Sequence, residues 1–236
     1  MQRLFVPPPL LPHMTLTAEQ SHQMLRVMRM KPNDPLMVLD GLGNGAVARI
    51  FAVSDGLVEI KTEAPQKILA EPSIKVTLFQ GLPKADKLEW IVQKSVELGV
   101  FSVQPVVMAH SIAKGVPAKL PRLQTIAREA AEQAERGIIP QVFAPMDFAQ
   151  ACEKLKDFDR VLVCQPGSEA GLAKPDAGGQ TVALIIGPEG GISPAELTLL
   201  EQAGGVAVGL GPRVLRTETA GLAALAALFF AAGEWA

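Results

Sequence analysis

Hydrophobic and polar positions follow two different patterns along the 236 residues of this chain. In the first 70 residues, short apolar runs alternate with clusters of turn-forming residues, which is typical of short strands joined by hairpins. Three such runs are present, at residues 36–39, 46–53 and 57–60. Short strands with glycine-rich turns favour a small β-barrel, and the proline-marked stretch that follows indicates a linker to the rest of the chain.

One helix is predicted in this first part. Thr17 begins a sequence with the spacing of a capping box, which marks a helix start. Met24, Val27 and Met28 then fall on one helical face, and Pro32 ends the helix.

From residue 74 onward, the pattern changes to strands that alternate with helices. Near-continuous apolar runs predict strands at residues 74–79, 103–107, 160–164, 181–186 and 206–210. Helices are predicted at residues 86–98, 120–136, from 193 onward, and 217–232, with Asp86 and Ser193 as N-caps and Gly99 and Gly137 as ends. Strands that are apolar throughout and separated by helices imply an α/β domain with a mainly parallel sheet.

Composition and charge narrow the classes of function. The chain has 22 Lys and Arg against 24 Asp and Glu, so any RNA binding needs a local basic patch. Two cysteines and three scattered histidines argue against a disulfide scaffold and a metal site, and they fit a reducing cytoplasm. The first residues lack the apolar core of a signal peptide, and the longest apolar run is shorter than the roughly 20 residues of a membrane span. We therefore expect a soluble cytoplasmic protein.

Two loops after predicted strands carry the candidate chemistry. Residues 187–191 read Gly-Pro-Glu-Gly-Gly, and the next such loop holds Arg213, Arg216 and Glu218. Loops at the carboxyl ends of parallel strands are where ligands bind, and glycines let the backbone approach a ligand closely. Two guanidiniums beside a carboxylate suit a phosphate or a developing oxyanion. The residues alone are equally consistent with a purely structural role, in which the loops are tight strand-to-helix turns and the charges form an ordinary Arg–Glu ion pair.

Three familiar active-site motifs are missing from the chain. The dinucleotide fingerprint GxGxxG, the phosphate loop GxxxxGK[ST] and the nucleophile elbow GxSxG do not occur. Their absence disfavours a dehydrogenase, a nucleotide triphosphatase and a serine hydrolase of the common types.

Residues 184–192 (LIIGPEGGI) and 210–220 (LGPRVLRTETA) together resemble the signature of the ribosomal RNA small-subunit methyltransferase E family, of the SPOUT class. Residues 80–84 (QGLPK) and 87–99 (KLEWIVQKSVELG) also match, as do the N-terminal Arg-Leu-Phe and the segment from His22 to Arg29. The resemblance therefore covers essentially the whole chain. One departure is present: the family commonly has glycine where this chain has Glu135, which puts the RNA contact expected of Arg136 in doubt.

The resemblance implies a PUA-like, RNA-binding β-barrel over residues 1–70 and a trefoil-knotted α/β methyltransferase domain over residues 74–236. It also implies a homodimer, S-adenosylmethionine as methyl donor, and methylation of N3 of a uridine in small-subunit (16S) ribosomal RNA. The donor site implied by the resemblance comprises Gly187, Pro188, Glu189, Gly190, Gly191, Leu210, Gly211, Val214, Leu215 and Thr217.

Arg216 and Glu218 are the expected catalytic residues. N3 of uridine must lose a proton, and a guanidinium at Arg216 would stabilise the negative charge that then develops on the ring oxygens. Glu218 would accept the proton or orient Arg216. The RNA contacts implied are Arg3, His22, Arg26, Arg29, Lys84, Lys94 and Arg136. The basic residues near the N-terminus would equally suit a solvated helix face.

Three other functions stay open from the sequence. A second SPOUT enzyme that methylates a ribose 2′-hydroxyl would share the fold. A non-catalytic RNA-binding or ribosome-assembly protein is disfavoured because simple binding does not require both glycine loops. A dehydrogenase-like enzyme is disfavoured by the missing fingerprint.

Overall fold

The computed structural model describes residues 1–112, 119–172 and 180–235. The chain divides into two compact units. The first comprises Met1–Glu71 and Ala131–Ile139, and the second comprises Pro72–Ala130 and Pro140–Ala236. Nothing in the sequence pattern assigned the later segment to the first unit.

The first unit is built on a sheet of six short strands. They are β1 (Gln2–Phe5), β2 (His13–Thr15), β3 (Pro35–Leu39), β4 (Asn44–Ser54), β5 (Leu57–Thr62) and β6 (Gln66–Lys67). Their order is β1-β3-β4-β5-β2, with β6 paired to β4, and only the β1–β3 pair is parallel. The three apolar runs expected to form strands are confirmed as β3, β4 and β5. Their buried side chains, Leu36, Val38, Ile50 and Ile60 among them, form the core of this unit.

The single helix of this unit starts as predicted but continues differently. In α1 (Ala18–His22), the Thr17 hydroxyl accepts a hydrogen bond from the Gln20 N–H at 3.3 Å, and the Gln20 side chain accepts one from the Thr17 N–H. The chain then widens into a π-helical turn, Gln23–Val27, which rotates the side chains that follow. Met24 is fully buried, whereas Val27 is 69% exposed. Met24 and Val27 therefore do not share one face as predicted, because that prediction assumed α-helical spacing.

Glu71 joins the two segments of the first unit. Its carboxylate accepts hydrogen bonds from Arg136 Nη2 at 2.6 Å and from the N–H groups of Gly137 and Ile138 at 3.0 Å each. The Arg136 side chain is only 3% exposed. A buried guanidinium held by a carboxylate would have to break this pair to reach RNA, so the RNA contact expected of Arg136 stays a prediction that this geometry does not favour.

Glu135 occupies a turn that favours glycine. The preceding helix, α3 (Leu120–Gln133), ends three residues earlier than predicted. Glu135 then has a φ of 62°, in the left-handed region where glycine carries no steric cost. Its carboxylate accepts a hydrogen bond from Arg3 Nη2 at 2.7 Å. Arg3, predicted as an RNA contact, is therefore engaged in an ion pair within this unit.

Replacing Glu135 by glycine is expected to raise the free energy of unfolding by about 0.5–1 kcal/mol. Relief of the left-handed backbone is worth roughly 1–2 kcal/mol, and the lost ion pair with Arg3 costs at most about 1 kcal/mol. Glu135→Ala is the matched control, because it loses the ion pair and keeps the strained backbone, so it should be less stable than the parent. Urea unfolding measures both variants. A Glu135→Gly protein less stable than the parent would contradict this account.

The second unit is built on a parallel sheet of seven strands. They are β7 (Lys75–Gly81), β8 (Ser102–Val107), β9 (Gln141–Val142), β10 (Met146–Asp147), β11 (Arg160–Cys164), β12 (Thr181–Ile186) and β13 (Gly205–Val208). Their order is β10-β8-β7-β12-β11-β13, with β9 paired to β8. All these pairs are parallel, as the apolar strands predicted.

Four further helices belong to this unit: α2 (Lys87–Leu98), α4 (Phe148–Leu155), α5 (Pro194–Gln202) and α6 (Thr217–Ala232). The capping box of Ser193 is confirmed, and Gly99 ends α2 with a φ of 109°. Asp86 stands at the N-cap of α2 but makes no capping bond, because its carboxylate accepts a hydrogen bond from Lys119 Nζ at 2.6 Å. The short α4 and the strands β9 and β10 were not predicted.

The helices of the second unit cover both faces of its sheet. Successive residues of a strand point to opposite faces. Phe79 and Ile185 pack with buried side chains of α4 and α5, whereas Leu78 and Ile186 lie against Gly221 of α6. This layered arrangement confirms the predicted α/β fold and brings the start of α6 to the carboxyl ends of β7 and β12.

Candidate active site

Three loops meet at the carboxyl ends of neighbouring parallel strands in the second unit. Strands β7, β12 and β11 are adjacent, so residues 165–172, which follow β11, lie beside residues 187–192, which follow β12. The chain between β13 and α6, residues 209–216, forms the third loop. Gly209 N–H donates to the Ala170 carbonyl at 2.7 Å, which ties this third loop to the loop after β11. Such an edge is where α/β proteins bind ligands.

The three loops enclose a cavity of about 460 Å³. It is lined by Lys87, Cys164, Gln165, Pro166, Ile186, Gly187, Pro188, Glu189, Gly191, Ile192, Val214, Leu215, Arg216, Thr217 and Ala220. The lining is mostly apolar side chains and glycine backbone, with a few charged groups at one side. This combination is typical of a site for a small organic ligand.

Most of the residues predicted to bind a cofactor lie at this cavity. Seven of them line it: Gly187, Pro188, Glu189, Gly191, Val214, Leu215 and Thr217. Gly190, Leu210 and Gly211 belong to the same two loops but are not among the lining residues. Gly190 packs instead against His110, because a Cβ at position 190 would lie 2.8 Å from the His110 Cβ.

A buried chain of hydrogen bonds fixes the loop after β12 to the start of α6. Gln80 Nε2 donates to the Thr217 hydroxyl at 2.9 Å, and that hydroxyl donates to the Gly187 carbonyl at 2.6 Å. Gln80 is fully buried and Thr217 is 6% exposed, so the bond between them is shielded from water, whereas the bond to the Gly187 carbonyl is partly buried. Sequence reasoning assigned no role to Gln80, since 137 residues separate it from Thr217.

Charged side chains gather on one side of the cavity around Lys87. Lys87 Nζ donates to Glu189 Oε1 at 2.9 Å and to Glu218 Oε2 at 3.2 Å. The hydrogen bond to Glu189 is the main cause that raises the pKa of the Lys87 ammonium. Burial acts to raise the pKa of Glu189, but Lys87 and backbone N–H groups outweigh it and lower the pKa. Both groups are therefore charged at neutral pH.

The two predicted catalytic residues differ in their surroundings. The Arg216 side chain lines the cavity and is 83% exposed, whereas the Glu218 side chain is 17% exposed. Arg216 Nη1 lies 4.0 Å from Glu218 Oε1, a longer distance than the one that joins Glu218 to Lys87. Arg216 thus presents a largely free guanidinium at the mouth of the cavity.

The predicted RNA contacts lie on both units of the chain. In the first unit, His22, Arg26 and Arg29 are exposed, and Arg3 and Arg136 are engaged by carboxylates as described above. In the second unit, Lys84 is exposed and its N–H donates to Glu189 Oε1 at 3.1 Å. Lys94 Nζ donates to Glu97 Oε1 at 2.7 Å on the same helix.

Cys164 is expected to be inert to thiol reagents in the folded protein. It lines the cavity, and burial raises the pKa of its thiol to about 12, so almost no thiolate exists at pH 8. In a Cys152→Ser variant, which leaves Cys164 as the only thiol, Ellman's reagent at pH 8 should react only after denaturant is added. Rapid reaction of the folded variant would show that the thiol is open to solvent.

The described residues also bear on metals and membranes. Within residues 1–112, 119–172 and 180–235, no group of three or more His, Cys, Asp or Glu side chains is placed to hold a metal ion. None of the helices in the described part of the chain has the length and apolar character needed to cross a bilayer.

The chain matches RNA methyltransferases in sequence and in fold. A family model described as RNA methyltransferase domain matches residues 70–229, and one described as RNA methyltransferase PUA domain matches residues 16–63. The chain is 36% identical over 231 residues to the ribosomal RNA small subunit methyltransferase E of Bacillus subtilis (strain 168). That match covers 93% of this chain and 90% of the relative. The chain therefore belongs to the ribosomal RNA small subunit methyltransferase E family.

Two solved structures are similar over nearly their whole length. The ribosomal RNA small subunit methyltransferase E from Neisseria gonorrhoeae, bound to S-adenosylmethionine, is 31% identical with a TM-score of 0.86, and the match covers 96% of each chain. A methyltransferase from Legionella pneumophila, in complex with the same cofactor, is 30% identical with a TM-score of 0.85, covering 95% of each chain.

Proposed function

We propose that this protein transfers a methyl group from S-adenosylmethionine to N3 of a uridine in 16S ribosomal RNA. The observation that carries the proposal is the cavity between the loops after β11, β12 and β13, in a chain whose solved relatives hold S-adenosylmethionine. The named members of the family are ribosomal RNA small subunit methyltransferases, which supports ribosomal RNA as the substrate. The charged side chains at one side of the cavity suit the loss of a proton from uridine N3.

The residues present fit the methyl donor. The cavity of about 460 Å³ lies in the roughly 300–1,000 Å³ range of small-molecule sites. Ile186, Ile192 and Leu215 offer apolar surface, and glycine backbone supplies polar groups at close approach. At Gly187, a Cβ would lie 2.8 Å from the Ile192 side chain, so the tight turn that forms this wall requires glycine. When bound, S-adenosylmethionine supplies a methyl group activated by a sulfonium.

We assign the donor site to the residues predicted from the resemblance. The seven of them that line the cavity would contact the donor directly. Gly190, Leu210 and Gly211 would shape the loops rather than line the site. The chain's task toward the donor is to hold it in one orientation, since alignment of the reacting atoms provides much of the acceleration in a transfer reaction.

Arg216 is the proposed catalytic residue. N3 of uridine carries a proton and lies on the Watson–Crick edge, so the base must be unpaired to enter the site. Loss of the proton puts negative charge on the ring oxygens, and the free Arg216 guanidinium can stabilise that charge. Glu218 accepts a hydrogen bond from Lys87, so it would act on Arg216 only through that pair, and the N3 proton would pass to solvent water at the exposed side of the site.

The first unit is proposed as a PUA-like β-barrel that binds RNA. This proposal covers residues 1–70, with His22, Arg26 and Arg29 as exposed contacts, and the match of residues 16–63 to a PUA domain of RNA methyltransferases supports it. Lys84 and Lys94 are proposed as contacts from the methyltransferase domain, residues 74–236. A cytoplasmic location follows from the proposed substrate.

A SPOUT-type trefoil knot and a homodimer complete the proposal. Within the described residues, strand β13 pairs only with β11 at the edge of the sheet, whereas α6 contacts α2, β7 and β12, so residues 209–216 must cross the neighbouring loops. Such a crossing supports a knot, a known exception to the usual avoidance of knots. Exposed apolar side chains at Val214, Phe230 and Trp235 support an interface with a second copy.

The test is a methylation assay with nucleoside analysis. Purified protein and labelled S-adenosylmethionine are incubated with unmethylated small subunits and, separately, with their naked RNA. The RNA is then digested to nucleosides. Recovery of 3-methyluridine supports the proposal. A 2′-O-methyl product would move the protein to the other SPOUT reaction, and no transfer to either RNA, with donor binding also absent, would favour a non-catalytic role.

A further inference from the structure

Lys87 stands where helix stability alone would not place a cation. It is the first residue of α2, and the partial positive charge of a helix N-terminus disfavours a positive side chain. Its ammonium nevertheless lies at the cavity, between a carboxylate of the loop after β12 and one in the first turn of α6. The two carboxylates at the cavity, rather than the stability of α2, therefore explain why a lysine occupies position 87.

The distances around Glu218 show two cations that compete for one carboxylate. Lys87 Nζ lies 3.2 Å from Glu218 Oε2, within hydrogen-bond distance, and Arg216 Nη1 lies 4.0 Å from Glu218 Oε1. Glu218 is largely buried, so its charge needs a partner. Lys87 meets that need and leaves the more exposed Arg216 guanidinium loosely held.

We propose that Lys87 is a positioning residue, which occupies Glu218 so that the Arg216 guanidinium stays free to stabilise the uracil anion. Without Lys87, Glu218 would pair fully with Arg216 and draw it away from the substrate. The same ammonium also holds Glu189, so it joins the donor loop to the acceptor side of the cavity. This inference rests on the proposed catalytic role of Arg216.

The competition predicts an unusual result for a pair of substitutions. Lys87→Met should lower kcat for methyl transfer at saturating RNA and donor by about ten-fold, because a misplaced catalytic group is costly. Adding Glu218→Gln to Lys87→Met should restore part of that loss, because the neutral amide no longer captures Arg216. Lys87→Arg, which keeps a cation, should retain most of the activity.

Arg122→Met is the matched control. Arg122 lies on α3, and its Nη2 pairs at 2.9 Å with Glu89, which is in the first turn of α2, the helix that Lys87 begins. Arg122 is not among the residues that line the cavity. This variant removes a cation from the start of α2 without touching Glu218, so its kcat should equal that of the parent. Thermal melts of all variants show that each one folds.

The outcomes separate this inference from the proposed function. If the parent protein transfers no methyl group to any RNA, the proposed function fails. If the parent is active but Lys87→Met has a parental kcat, the positioning role is overturned. The role is also overturned if the double variant is slower than Lys87→Met, since Glu218 would then help catalysis even without Lys87.

Discussion

Arg216→Ala is expected to slow methyl transfer by roughly 10²–10³-fold at saturating RNA and donor, the usual loss when one stabilising group for a developing anion is removed. The guanidinium is 83% exposed, so the substitution removes little packing and should leave the thermal stability near that of the parent. The loss should appear in kcat, because the charge on the uracil ring develops only as the proton leaves. Single-turnover transfer of labelled methyl groups measures it.

Arg213→Ala provides the matched control for Arg216. Arg213 is exposed in the same loop and carries the same charge, but it is not among the residues that line the cavity. Its removal should leave kcat unchanged, even where RNA affinity falls through the loss of one cation. Arg216→Lys should fall between the two, because a point charge replaces a planar donor. Full activity of Arg216→Ala would remove Arg216 from the chemistry.

Local signals predicted the elements that hold the site. Ser193 and Glu196 form their capping box within four residues, and Gly99 ends α2 by its own backbone freedom. Five of the seven described strands of the second unit, all except β9 and β10, were predicted because apolar side chains fill both faces of a covered parallel sheet. Because the glycine loop 187–191 directly follows one of these strands, it could be placed at the edge of the sheet where the strands end.

Contacts between distant parts of the chain were beyond sequence reasoning. Glu71 pairs with Arg136, 65 residues away, and Lys87 reaches Glu218 across 131 residues. A single sequence does not show which of several exposed-looking charges the fold brings together. Arg136 therefore looked like an RNA contact although it is buried. The π-helical turn after α1 was missed because no residue type marks it.

Thr217 combines a local and a distant role, which makes it the sharpest test of the donor site. Its hydroxyl accepts a hydrogen bond from Gln80 and donates one to the Gly187 carbonyl, so it links β7, the loop after β12 and α6. Thr217→Val keeps the shape of the side chain and leaves the half-buried Gly187 carbonyl without this partner. An unsatisfied buried polar group costs roughly 1–3 kcal/mol.

We expect Thr217→Val to weaken S-adenosylmethionine binding by about 30-fold, the equivalent of about 2 kcal/mol, because the loop that holds the donor loses its anchor. Isothermal titration with the donor alone measures the change, with no RNA present. Thr219→Val is the matched control, since it makes the same change at an exposed position of the same helix turn. Thr217→Ser, which restores the hydroxyl, should recover most of the affinity. Equal donor affinity in the Val variants at 217 and 219 would mean that this hydrogen-bond chain does not hold the donor loop in its binding shape.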